Sequence, residues 1–146
     1  MPQEKIPYKI GMVFGVFDGL HPGHRFFLYE ASRRSEKLIV VLASQKMIQF
    51  LKQHLPHSPY AKRADAIRNF DPKLTLIKSD DIPEKWTAIK KYSPEVVFIG
   101  HDQHALATAL SKIPMPYEMI DSHFPKKYKS SLLHKKESKN VSKLYL

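Results

Sequence analysis

Apolar residues fall along this chain in two alternating rhythms. Short, mostly apolar runs rich in β-branched residues, at 9–14, 38–43, 74–77, 96–99 and 117–120, have the length and character of strands. Between them lie stretches with apolar positions at helical spacing, over 23–35, 62–69, 83–91 and 103–111, and a last one from about Ser131 toward Leu144. In the first of these, Phe26, Phe27 and Ala31, with Leu28 further round, make the apolar face a helix needs to lie on a sheet.

The run LIVVLA at 38–43 is apolar throughout and does not alternate, so it reads as a central strand covered on both faces. The alternation predicts an α/β fold, a Rossmann-like doubly wound sheet of about five parallel strands with helices on both faces. Such a sheet places its ligand site beyond the strand carboxyl ends, at the switch point. No internal repeat, low-complexity block or linker divides the sequence, and its most loop-like part is 53–60, with two prolines in eight residues. Residues 1–146 are therefore expected to form one domain, with a basic helical segment from about Lys126.

Composition narrows the partners. The 146 residues hold 24 Lys and Arg against 14 Asp and Glu, a net charge of +10 on a chain of ordinary globular hydrophobicity. Such a surplus implies an anionic partner: nucleic acid, an acidic membrane face or a phosphorylated small molecule. There is no cysteine, which excludes disulfides, thiolate metal sites and a cysteine nucleophile. The longest unbroken apolar run is six residues, against about 20 for a membrane-spanning helix. The amino terminus lacks a signal-peptide pattern, so a cytoplasmic protein is expected.

Candidate chemistry sits directly after the first strand, in GVFDGLHPGH at 15–24. Its glycines let the backbone turn sharply and approach a ligand closely. His21 and His24 fall at the start of the following helix, where free N–H groups and the positive dipole end are expected to receive phosphate oxygens. Imidazoles there can donate hydrogen bonds to charge developing on a phosphoryl group. The bland reading, that they only cap or turn the chain, suits a lone histidine better than this pair.

This segment resembles the first signature of the cytidylyltransferase-like nucleotidyltransferases, in Gly15, Val16, Phe17 and Asp18 followed by His21, Pro22, Gly23 and His24. The resemblance continues in order: Lys52 ahead of Tyr60 and Arg63, then Gly100-His101-Asp102 after the fourth strand, then Ser130 and Ser131 with Lys135 beyond. In that last signature Leu132 stands for the usual Thr and Lys135 for the usual Arg; Lys supplies charge without the bidentate fork. The resemblance implies transfer of AMP or CMP from a nucleoside triphosphate to a phosphorylated small molecule, with release of pyrophosphate. It implies catalytic roles for His21, His24 and Lys52. Nucleotide contacts would come from Gly15, Val16, Phe17, Asp18, Gly23, Gly100, Asp102, Ser130, Ser131 and Lys135. Mg²⁺ would accompany the triphosphate, no dedicated metal residues are assigned, and a homodimer is implied. The stretch from Phe26 to Ala43 is similar to small archaeal FMN adenylyltransferases, and also to glycerol-3-phosphate cytidylyltransferases and heptose-phosphate adenylyltransferases. FMN is the favoured acceptor; a polyol phosphate with CTP is the alternative.

The remaining polar residues carry competing readings. Asp18 either touches substrate or fixes the turn; Arg63 reads as a tether of its helix. His101 with His104, and His54 with His57, read as surface histidines more readily than as metal pairs, and Trp86 as packing more readily than as a stacking platform. From Ser122 onward seven lysines face one glutamate, so six of the ten net charges lie beside the second phosphate signature. That run supports a competing class, a noncatalytic RNA-binding or regulatory protein, but it carries few rings for stacking.

Overall fold

In the computed structural model, residues 7–52 and 58–121 are described, without the side chain of Lys52. Five strands, β1 (Tyr8–Gly15), β2 (Ser35–Leu42), β3 (Thr75–Lys78), β4 (Val96–Gly100) and β5 (Tyr117–Ile120), form one sheet in the order β3-β2-β1-β4-β5. Every pairing is parallel. The order reverses between β1 and β4, so the crevice beyond their carboxyl ends is the switch point where doubly wound sheets bind ligands.

Five helices connect the strands: α1 (Pro22–Arg33), α2 (Gln45–Lys52), α3 (Tyr60–Phe70), α4 (Thr87–Tyr92) and α5 (His104–Lys112). Successive residues of a strand point to opposite faces, and here both faces are apolar. Met12 and Phe14 of β1, with Ile39 and Val41 of β2, pack against Met47 and Ile48 of α2 and Leu106 and Ala109 of α5. Val13, Val40 and Leu42 point the other way, onto Phe27, Leu28 and Ala31 of α1 and Ala64 and Ile67 of α3. The expected doubly wound α/β architecture is present, with α1 and α3 on one face and α2, α4 and α5 on the other.

Most elements fall within a few residues of the sequence expectation, and three differences have an identifiable physical cause. The first helix ends at Arg33, because Ser35 turns its hydroxyl back onto Ala31 O (3.0 Å) while its backbone joins β2 opposite Tyr8. The helix expected over 83–91 begins only at Thr87, since Glu84 and Trp86 take left-handed conformations (φ 63° and 56°) that a helix cannot pass through. Helix α2 was not expected; Ser44 Oγ accepts the Met47 amide (3.0 Å) and starts it as an N-cap does. The expected helix from Ser131 and the lysine run from Lys126 lie outside the described residues.

Candidate active site at the carboxyl ends of the first and fourth strands

The loop between β1 and α1 is shaped by its own residues. Gly15 is required by close approach: a Cβ there would lie 2.5 Å from the ring of Phe17. Gly19 turns the chain at φ +82°, a conformation that favours glycine. Phe17 and Leu20 also take positive φ (49° and 29°), strain of the kind held where surrounding packing over-determines the backbone. Both are buried, so the loop is pinned by its hydrophobic side chains.

This pinning delivers His21 and His24 to the start of α1. His21 is the N-cap, and its Nδ1 accepts the Gly23 and His24 amides (3.1 and 3.4 Å). His24 reciprocates, its Nδ1 accepting the His21 amide (3.3 Å). The two rings stack, centroids 3.6 Å apart and 20° from parallel, and the Phe17 ring meets His24 edge-on. With Nδ1 used as an acceptor, each neutral imidazole carries its proton on Nε2.

The geometry corrects one expectation. The helix terminus does not hold free N–H groups for a phosphate: Pro22 has none, Gly23 and His24 donate to His21, and the Arg25 amide donates to His21 O (3.1 Å). The capping bonds leave the two Nε2–H groups unused.

Both rings are shifted toward the neutral form. Burial, then the neighbouring His21, lower His24 to about 4, against a smaller upward pull from Asp18. Burial and then Arg25 also lower His21, opposed by Asp102. Asp102 lies across the switch point from His21, after β4, so the structure brings the two motifs together.

Gln103 makes that juxtaposition rigid, and sequence reasoning missed it. Fully buried, it accepts the Gly100 amide on Oε1 (2.9 Å) and donates from Nε2 to Phe14 O (3.1 Å). Arg63 performs the same service from the other side. Its Nη1 donates to Val16 O (3.1 Å) and Ala43 O (2.9 Å), and its Nε to Ser58 O (3.1 Å). Arg63 therefore tethers the histidine loop as well as its own helix.

The remaining candidates divide. Asp18 Oδ1 accepts the Ser58 amide (3.2 Å), which ties the histidine loop to the chain just ahead of α3. Val16 and Phe17 bury their side chains on opposite faces of the sheet, so backbone atoms are what they can offer a nucleotide. Gly23 sits in the first turn of α1, and Lys52 ends α2. His54, His57, Ser130, Ser131 and Lys135 lie outside the described residues. Among the described residues no group of three or more His, Cys, Asp or Glu is placed to hold a metal. No described helix is long and apolar enough to cross a membrane.

The cytidylyltransferase-like family model matches residues 12–142, which takes in the end of β1, the histidine loop and the Gly100–Asp102 turn. The chain belongs to the cytidylyltransferase-like family. Within it, the sequence is 36% identical over 94 residues to an FAD synthase of Archaeoglobus fulgidus, covering 64% of this chain and 66% of that protein, just under two thirds of its length. An FAD synthase of Thermococcus sibiricus is 28% identical over 134 residues, covering 89% and 88%. A lipopolysaccharide core biosynthesis protein of Thermoplasma volcanium shares the fold, with a TM-score of 0.65 at 20% identity over 81% of this chain and 99% of that one. This cytidylyltransferase-like chain thus shares its sheet with a neighbour of low identity.

Proposed function

We propose that the protein is a nucleotidyltransferase that moves AMP from ATP to the phosphate of FMN, releasing pyrophosphate. The observation that carries this reading is the reciprocal capping of His21 and His24, which leaves two neutral Nε2–H donors at a positive helix end. The similarity to archaeal FAD synthases supports the choice of acceptor.

An acceptor phosphate oxygen attacks the α-phosphorus, a new P–O bond forms, and the bond to the bridging oxygen of the β-phosphate breaks as pyrophosphate leaves. The chain supplies no nucleophile. Its contribution is in-line positioning and donors aimed at charge that grows on the α-phosphoryl oxygens. Neutral imidazoles suit this: they donate without a proton being gained or lost. Asp102, in the turn that Gln103 locks, would accept from a ribose hydroxyl. Lys52, Ser130, Ser131 and Lys135 are proposed to meet the β- and γ-phosphates.

Magnesium fits as a passenger of the triphosphate. The carboxylates acting on the two histidines are Asp102, toward His21, and Asp18, toward His24, and among the described residues no group of three or more His, Cys, Asp or Glu is placed to hold a metal. Mg²⁺ readily takes phosphate oxygens and waters as its ligands, and it would neutralise triphosphate charge. The charge of +10 is consistent with so anionic a substrate.

The test is a pyrophosphate-release panel of ATP and CTP against FMN, glycerol 3-phosphate and heptose phosphate. Release with ATP and FMN is expected; silence with every pair would overturn the reading.

A further inference from the structure

A second concavity lies on the α2, α4 and α5 face of the sheet, next to the histidine loop but apart from it. It is a cavity of about 160 Å³ whose floor includes Phe14, Met47 and Leu106 and whose wall is Trp86. All four are buried. An apolar cavity of about 150 Å³ accommodates a benzene ring, so this one is of the size that takes an aromatic ring edge.

Trp86 is held there against its own backbone preference. It takes φ 56°, ψ 35°, and Glu84 on the same rim takes φ 63°. Left-handed backbone is unfavourable for a bulky residue, and such strain persists where surrounding structure enforces it, commonly at ligand clamps. Trp86 starts α4 without any side-chain cap bond, so capping does not explain the conformation. Its ring instead stands edge-on to Phe14, centroids 5.7 Å apart and 82° between planes.

The rim differs from the floor. Ile82 is 49% exposed at the lip, and Lys78, Glu84 and Lys91 are exposed charges of both signs around it. An apolar slot edged by donors and acceptors matches a flat ring that carries polar atoms along one side. A polyol phosphate has no apolar face to fill the slot.

The cavity is also coupled to the histidine loop through shared elements. Phe14 directly precedes Gly15, and its carbonyl is the one that Gln103 holds. Leu106 lies one helical turn beyond Asp102. A molecule seated in the cavity therefore begins where the phosphate-handling loop begins.

We propose that the Trp86 cavity is the subsite for a planar heteroaromatic ring, and that this ring is the flavin part of the acceptor. Its role as an acceptor subsite rests on the transfer reading above; the binding of the ring does not.

The chain contains one tryptophan, so its indole N–H gives a single resonance that reports on the cavity without any assignment. The experiment titrates the ¹⁵N-labelled full chain, without ATP, with riboflavin (ring without phosphate), ribose 5-phosphate (phosphate without ring) and FMN. Riboflavin and FMN are expected to shift the indole resonance and ribose 5-phosphate to leave it in place. Ala88→Leu, which adds bulk to the cavity lining, is expected to weaken flavin binding at least tenfold. An indole signal unmoved by saturating flavin, or flavin binding unchanged in Ala88→Leu, would overturn the subsite. Pyrophosphate release separates the two ideas. An indole shift without release from ATP and FMN supports the subsite and defeats the transfer reading. Release with an unmoved indole defeats the subsite and leaves transfer standing.

Discussion

His21 and His24 cap each other: each ring accepts the other's backbone amide through Nδ1, and the two stack with centroids 3.6 Å apart. A device that usually uses Ser or Asp with Glu is here built from two imidazoles. The consequence is chemical as well as structural. The bonds that start α1 also set both rings as Nε2–H donors, so in the proposed reaction capping and phosphoryl stabilisation are one arrangement.

Separating those two roles is therefore informative. His21→Asn keeps an N-cap of good propensity but removes the ring's donor, so folding stability should stay within about 1 kcal/mol of the parent. Pyrophosphate release should fall about 10²–10³-fold, the usual cost of one transition-state donor. Urea unfolding and a coupled pyrophosphate assay measure the two effects side by side. Equal activity in parent and variant would remove His21 from catalysis.

The buried His24 makes stability fall with acid. Its folded value of about 4 lies below the unfolded value of 6.5. Between those limits the unfolded chain binds the proton first, so falling pH favours unfolding. The loss should grow from about pH 6.5 to about pH 4 and reach on the order of 3 kcal/mol. His21, lowered in the same direction, adds to it. Urea midpoints at pH 7.5, 5.5 and 4.5 should decline for the parent and decline less for His24→Asn. Parallel declines in the two proteins would contradict the assignment.

How much of this was readable from sequence depended on range. The histidine motif sits within one strand-turn-helix unit, and its residues declare it locally. Gln103 does not: its partner Phe14 is 89 positions away, and no local pattern marks a glutamine that joins two strand ends. Arg63 was legible as a tether, but its reach to Val16 O and Ala43 O required the parallel register of β1 and β2. Helix α2 escaped notice because eight residues carry only two turns of apolar periodicity. The late start of α4 turned on left-handed backbone at Trp86 and Glu84, which tertiary packing imposes and propensity disfavours.

Arg63 anchors the loop from below, fully buried and shared among three carbonyls. Arg63→Ala strands Val16 O and Ala43 O without their donor, a cost of roughly 3 kcal/mol in urea unfolding. Arg63→Lys should recover only part, since one ammonium cannot reproduce the spread of a guanidinium. Full stability in Arg63→Lys would show that the fork geometry is unimportant.

Two loop glycines should behave differently. Gly15→Ala drives a methyl to 2.5 Å from the buried Phe17 ring, which meets His24 edge-on. It should cost about 1–3 kcal/mol by overpacking and depress activity through the displaced histidine. Gly19→Ala meets no atom within 4 Å and bears only its positive φ, a cost of about 1–2 kcal/mol with activity largely kept. Thermal melts and initial rates on both variants check the order; a more active Gly15→Ala than Gly19→Ala would reverse it.

In the proposed reaction the adenylyl group of ATP, with its α-phosphorus, is transferred intact to FMN. ATP labelled at the α-phosphorus, incubated with FMN, Mg²⁺ and the full chain, follows that group directly. The label is expected in FAD with an equal amount of unlabelled pyrophosphate, and the His21→Ala, His24→Ala double variant is expected to form neither. Label confined to unreacted ATP, or released as ADP or free AMP without FAD, would contradict it.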